Sequence, residues 1–324
     1  MRALYYGTYD REHPRNVNAI AALRATGAEV VERQADVRGR GARGALSIFG
    51  AETRLLAPRR RDFDVVIVGY PGHFDVPRAR RVAGRAPLVF DAVLSLEDEL
   101  VSVRRRFRDR SAAASVLRAV DFRALRLPDL VVCGTEAEAA YLRGLGARRA
   151  EAVFLGADEE LFSETWSPTY PFSALQFADV SSEVVDAAGQ LVSELPVRIV
   201  GRAETPRDEL GLVVAHAGLV LGSFRESRAI APVVFESLAT GAPLITGDTA
   251  AARELLADGE SALLVAPDDP EALAAALRRL AGDEGLRTRI AARGREVFAA
   301  RASRRVLGEQ WRSLLESLLA PSSL

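Results

Sequence analysis

Glu236 is the residue whose placement most asks for chemistry. It stands in PVVFESLA, one turn inside a segment that is otherwise apolar, and a carboxylate there has to face a cleft or be hydrogen-bonded. Pro232 marks the first turn of that helix. The loop before it, SFRESRAIA, supplies Arg225 and Arg228. A helix N-terminus offers free amides and a partial positive charge, and guanidinium groups suit bidentate phosphate contacts; the alternative is a pair of arginines on a solvated loop. His73 follows a buried apolar run in YPGHFD. With an ordinary pKa of about 6.5 it could move a proton or bond a hydroxyl. Asp91, at the end of PLVF, points to the same edge as either a ligand contact or a structural one. Gly7, Thr8 and Tyr9 follow the first strand, with Asn16 and Asn18 just beyond; glycine there permits close approach of the backbone to a ligand, or marks a simple turn. His13 reads as a surface residue, and His216 as a core or boundary residue packed beside Val213 and Val214. No group of His, Cys and Asp has metal spacing, no Asp-x-Asp occurs, and no metal is expected.

These residues sit in a regular alternation of strand and helix. Strands are predicted over Arg2–Tyr6, Glu29–Val31, Asp64–Gly69, Pro87–Phe90, Asp129–Cys133 and Glu151–Leu155. The run DVVIVG is continuously apolar, as in a strand buried on both faces of a parallel sheet. A helix follows at about Pro14–Thr26, and Arg-rich helical stretches lie at Leu96–Phe107 and Ala112–Leu125. From Glu159 to Ser173 the pattern lapses into Pro, Ser and aromatic residues, which reads as a linker. Alternation resumes with strands at Ala174–Phe177, Val197–Val200, Leu219–Leu221, Leu244–Thr246 and Ala262–Val265. The helices between and after them are predicted at Val180–Val192, Pro206–His216, Pro232–Ala239, Ala250–Ala257 and Pro270–Leu280. The expectation is an α/β protein of two Rossmann-like, doubly wound domains, with ligands at the carboxyl ends of the strands and in a central cleft. The boundaries read as 1–160 for the N-terminal domain, 161–173 for the linker, 174–302 for the C-terminal domain, and 303–324 for a C-terminal helix that could pack back toward the N-terminal domain.

The 324 residues carry 48% hydrophobic and 27% charged side chains, the balance of an ordinary globular protein. Cys133 alone excludes a disulfide framework and suits a reducing, cytoplasmic setting. All 43 basic side chains are Arg, which excludes mechanisms needing a Schiff-base or phosphate-gripping Lys. The longest apolar run, LGLVVAHAGLVLG, is short of the roughly 20 residues a membrane span requires. The formal charge of −1 argues against nucleic acid as a partner. Residues 1–162 hold 27 Arg and 22 acids, hence +5; residues 163–324 hold 16 Arg and 22 acids, hence −6. Eight Arg fall within 100–127 among apolar residues, either as a solvated helix pair or as a face for an acceptor or a membrane surface.

The segment from Leu219 to Leu280, with FESLATGAPLITGD, ARELLADGESALLV and PDDPEALAAAL, closely resembles the donor domain of group 1 (family 4) retaining glycosyltransferases, which have the GT-B fold. LYYGTYDREHPRN, DVVIVGYPGHFDVP, PLVFDAVLSLEDELV and VFLGADEELF are similar to the N-terminal domains attached to such modules. The resemblance implies sugar transfer from a nucleotide-sugar, such as a UDP- or GDP-sugar, to a small-molecule, glycan or lipid-linked acceptor, without cofactor or metal. It implies that Glu236 holds the ribose hydroxyls, that Arg202, Arg225, Ile230, Ala231 and Thr246 line the donor site, and that Arg228 and His73 act at the reacting centre. Gly7, Thr8 and Asp91 fall on the acceptor side. Two features depart from the family pattern. Arg228 stands where many members carry a second Glu, and the stretch from Phe177 to Glu183 lacks the Arg and Lys that often grip the diphosphate. Arg202, Arg207, Arg225 and Arg228 remain to compensate. A catalytically degenerate nucleotide- or partner-binding protein is the alternative.

Overall fold

The computed structural model describes residues 1–35, 63–93, 95–97, 107–109, 111–169, 172–178, 183–192, 195–202 and 204–320. Residues 98–106 of the helix expected at Leu96–Phe107, and with them part of the Arg-rich 100–127 stretch, lie outside these residues, as do Asp179–Ser182. Contacts divide the chain into two compact units, Met1–Phe154 with Leu307–Leu324, and Leu155–Val306.

In the first unit, strands β1 (Arg2–Gly7), β2 (Glu29–Gln34), β3 (Val65–Val68), β4 (Leu88–Asp91), β5 (Leu130–Cys133) and β6 (Ala150–Ala152) form a parallel sheet in the order β2-β1-β3-β4-β5-β6. Helices α1 (Pro14–Ala25), α2 (Val76–Ala83), α3 (Ala112–Arg126) and α4 (Glu136–Gly144) connect them. VVIV, LVFD and LVVC are buried along their whole lengths because helices cover both faces of the sheet. The strand order reverses between β1 and β3, so the loops after these two strands open a crevice at the carboxyl edge. His13 N-caps α1, accepting a hydrogen bond from the Arg15 backbone N–H, and is half-buried against the Tyr70 ring. It is therefore not the plain surface residue expected. Burial lowers its pKa to about 4.

The second unit holds β7 (Ala174–Phe177), β8 (Val197–Val200), β9 (Leu219–Leu221), β10 (Leu244–Gly247) and β11 (Leu263–Val265), parallel and ordered β11-β10-β9-β7-β8. Its helices are α5 (Glu183–Leu191), α6 (Leu210–Ala215), α7 (Pro232–Thr240), α8 (Ala250–Arg253), α9 (Pro270–Gly282) and α10 (Glu284–Arg301). The reversal here falls between β7 and β9, which places the loop 222–231 at the switch point. The helix expected at Pro206–His216 begins as a 3-10 turn, Arg207–Glu209. His216 closes α6 and is exposed rather than packed, because the buried face of that short helix is carried by Leu210, Val214 and Ala215. The aromatic stretch around Trp166 is tied to this unit: the Trp166 backbone N–H donates to the Thr240 carbonyl and its indole N–H to the Ala217 carbonyl.

The last helix, α11 (Arg304–Leu319), returns the chain to the first unit. Leu307, Trp311 and Leu315 are buried in one cluster with Ala3, Tyr5, Leu23 and Ile67.

Candidate functional site

In the second unit, the carboxyl edge of the sheet opens onto a concavity lined by Ser223, Arg225, Ile230, Ala231, Thr246 and Thr249, among others. Four of the residues expected at the donor site, Arg225, Ile230, Ala231 and Thr246, thus converge there. Ser223, Ser227 and Thr249 also line it and were not singled out from the sequence. Thr249 carried a signal nonetheless: as Thr before a run of Ala in GDTAAAR it N-caps α8 and accepts from the Ala252 backbone N–H. Arg225 and Arg228 are both exposed, and Arg228 is not among the lining residues. The helix α7 begins at this concavity with Ala231 as its N-cap, and no side chain caps its amides. With Pro at the first turn and no Ser, Thr or Asp before it, the positive end of α7 is left for an external acceptor.

Glu236 lies one turn further along α7 and is 3% exposed. It is not among the residues that line the concavity, and its carboxylate is held in a fork. Arg202 Nη1 donates to Oε1 and Nη2 to Oε2, each at 2.8 Å. The guanidinium lies over the Phe177 ring at 4.1 Å from its centroid. This explains how a carboxylate is tolerated in PVVFESLA: a bidentate cation satisfies it. Both partners come from strand ends at the carboxyl edge, Phe177 closing β7 and Arg202 following β8. Arg207, by contrast, pairs with Asp158 at 3.1 Å and does not join this group. Gln176, fully buried on β7 at the switch point, donates weakly to the Phe177 and Gly222 carbonyls.

In the first unit, the residues of the carboxyl edge are largely turned on one another. Asp91 is fully buried; Arg15 Nε donates to one carboxylate oxygen at 2.6 Å and the Tyr5 hydroxyl to the other at 3.2 Å. Arg15 also donates to the Val153 and Cys133 carbonyls. The carboxyl group of Asp91 is pushed up by burial against the opposing pull of Arg15. Of the two readings of Asp91, these contacts make the structural one. Gly7 adopts φ +130°, and a Cβ there would come within 2.7 Å of Asp75 Oδ2. The group that approaches this glycine is therefore Asp75, which accepts from the Thr8 backbone N–H at 2.8 Å and from its hydroxyl at 2.9 Å. Asn16 is buried, accepting from Tyr5 and the Tyr70 N–H and donating to the Asp10 and Tyr70 carbonyls. Arg15, Tyr5 and Asp75 were not picked out from the sequence, because an Arg at the second position of a helix gives no sign that it points inward. His73 is 2% exposed; its ring meets Phe90 edge-on, and Nε2 lies 3.6 Å from Asp121 Oδ1. It lines a separate concavity together with Phe74, Arg78, Arg81 and Arg123.

Among the described residues no group of three or more His, Cys, Asp or Glu is arranged to hold a metal ion. No helix among them is long and apolar enough to cross a membrane.

Residues 180–283 match the family of glycosyl transferases group 1. A curated relative, the lipopolysaccharide core biosynthesis glycosyltransferase LpsE of Rhizobium meliloti, is 34% identical over 85 residues, covering 26% of this chain and 25% of LpsE. The chain spans 11% to 48% of the length of the curated relatives it matches. Among solved structures, sucrose-phosphate synthase from Thermosynechococcus elongatus superposes with a TM-score of 0.69 at 15% identity, covering 98% of both chains. Anabaena HepE in complex with UDP and glucose superposes at 0.65 with 16% identity, over 98% of this chain and 100% of HepE. The chain thus shares the two-unit parallel α/β fold of these structures, the GT-B fold, and its second unit carries the segment that is similar to the group 1 glycosyl transferases.

Proposed function

We propose that this protein transfers a sugar, with retention of anomeric configuration and without a metal, from a nucleoside-diphosphate donor bound by the second unit to an acceptor bound by the first. The observation that carries this reading is the uncapped start of α7, open to the concavity of Arg225, Ile230, Ala231 and Thr246, with the Arg202–Glu236 fork one turn deeper. An ionised carboxylate has about four lone-pair positions. Arg202 donates to both oxygens, and each carboxylate oxygen can also accept from one of the paired hydroxyls of a ribose. The diphosphate then lies against the first-turn amides and Arg225. As the bond from the anomeric carbon to the phosphate oxygen breaks, the electron pair leaves with the phosphate, and the charge grows where these donors already point. The acceptor oxygen attacks the same face, and its proton passes to the departing phosphate, so no pair of catalytic carboxylates is needed. Arg228, exposed on the same loop, is assigned to that developing charge, and His73 to the acceptor side. The structures of HepE with UDP and glucose support a nucleotide-sugar as the donor class.

The test is a thermal-shift panel of UDP- and GDP-sugars, followed by product detection with excess EDTA present. Binding and turnover that persist under EDTA are expected. Turnover that vanishes with chelator and returns with Mg²⁺ would overturn the metal-free mechanism. A second reading, a nucleotide-binding protein without turnover, is favoured by one observation: Arg202 already engages both oxygens of Glu236. It predicts the thermal shift and no product with any donor.

A further inference from the structure

The concavity beside His73 belongs to the first unit and shares no lining residue with that of the second. About 410 Å³ in volume, it lies between α2 and α3 and is lined by His73, Phe74, Pro77, Arg78, Arg81, Val120 and Arg123. Three Arg thus line one hollow, and no carboxylate lines it among the described residues. On the same helices, Arg80 donates to Asp129 and to the Gly84 and Ala86 carbonyls, and Arg118 donates to Glu97. Asp75, before α2, and Asp121, on α3, are buried and engaged. Asp121 accepts from the Leu96 and Glu97 backbone N–H groups, and Asp75 from Thr8. Arg81 and Arg123 have no ion-pair partner among the described residues and, unlike Lys, cannot shed their charge. Two such charges lining one hollow attract an anion, and the planar fork of Arg suits an oxyanion of phosphate type. One edge of the hollow is apolar. Phe74 is 47% exposed, and Val116, one turn before Val120, is 62% exposed.

We propose that this hollow is a phosphate-ester site of the first unit, with Arg81 and Arg123 on the phosphate and the ester's organic part against Phe74 and Val120. Resting on the proposed function, the ester is the acceptor, and its phosphate seats a neighbouring hydroxyl near His73. A lipid headgroup and a soluble sugar phosphate share this chemistry, so the experiment has two arms on the full chain. In one, glycerol 3-phosphate is titrated by calorimetry; in the other, co-sedimentation is measured with phosphatidylcholine vesicles with and without phosphatidic acid. The double variant R81Q/R123Q is compared with R85Q/R148Q, which removes the same charge from exposed positions of the same unit. The expected result is binding in at least one arm, at least about tenfold weaker in R81Q/R123Q and little changed in R85Q/R148Q. Binding to phosphatidic acid vesicles alone identifies a lipid source, and binding to glycerol 3-phosphate identifies a soluble one. No binding in either arm, or equal loss in both double variants, overturns the site. Nucleoside-diphosphate binding by the second unit is read separately in the same samples, so failure here is distinct from failure of the donor reading.

Discussion

Replacing Glu236 by Ala removes the acceptor for both Nη groups of Arg202 and leaves that guanidinium over Phe177 without its counter-charge. Removing one partner of a fully buried pair costs about 3–5 kcal/mol. Arg202 is 22% exposed on its side chain, so water offsets part of this and a loss of about 1–3 kcal/mol is expected. Nucleoside-diphosphate affinity should fall at least about tenfold with it. The double variant E236A/R202M separates the two effects: the urea midpoint should recover partly while affinity stays low. An E236A protein that binds nucleotide like the native chain sinks the ribose assignment. His13 gives a second prediction. Its pKa is lowered by burial from about 6.5 to about 4, so between those values the unfolded chain binds more protons than the folded one. Stability therefore rises with pH through that window and is lost on acidification, by about 2 kcal/mol from pH 7 to pH 5. His13→Asn keeps an N-cap acceptor and should flatten the urea midpoint over that range; an unchanged slope would show that other groups set it. At this scale Glu236 was legible because a charge interrupts an apolar helix. Arg202 was legible as a cation near the donor site but not as its partner, since the two are 34 positions apart and meet only through the parallel pairing of β7 with β8 and β9.

At the scale of elements, the loop that carries the concavity of the second unit is anchored where β9 ends beside β10. Gly222 lies at that point, and a Cβ there would stand 2.4 Å from Thr246 Oγ1 and 2.7 Å from Thr246 Cβ. Gly222→Ala should therefore cost about 1–3 kcal/mol by overpacking. It should also weaken nucleotide binding, because relief of the clash moves the start of the 222–231 loop or Thr246 itself. A variant with native midpoint and native affinity would mean that this edge yields freely. The same packing explains which elements the sequence disclosed. VVIV, LVFD and LVVC stand out because strands covered on both faces cannot alternate, and α7 because Pro opens it and Gly241, at φ +76°, closes it. The helix α2 was harder to see: VPRARRVA is short and half Arg or Pro, and it is fixed by Val76, Ala79 and Ala83 packing on the sheet. The hollow between α2 and α3 is illegible in the sequence for the same reason. Its arginines come from two helices about 40 positions apart, and nothing in either segment alone tells a pocket arginine from a solvated one.

At the scale of the molecule, each unit has its own buried core. One holds Val68, Phe90 and Val131 with Trp311 and Leu315 on the opposite sheet face. The other holds Leu219, Ile245, Leu273 and Leu277. The two tryptophans of the chain are divided between them: Trp311, 1% exposed, belongs to the first unit and Trp166 to the second. Each can therefore report on one unit if the other is replaced by Phe. With Trp311→Phe, Trp166 fluorescence follows the second unit, and a nucleoside diphosphate at a hundred times its dissociation constant stabilises that unit by about 2.7 kcal/mol. For a unit of this size the shift is about 5–10 °C. With Trp166→Phe, Trp311 follows the first unit, whose transition should stay in place on adding nucleotide, because the concavity and the Arg202–Glu236 fork lie wholly in the second. The replacement at Trp311 should itself lower the first unit's midpoint, since Phe leaves part of that buried volume empty. Nucleotide that moves the Trp311 transition and not the Trp166 one would place the donor site in the wrong unit. A common transition seen by both tryptophans, shifted equally, would show that the two cores unfold together.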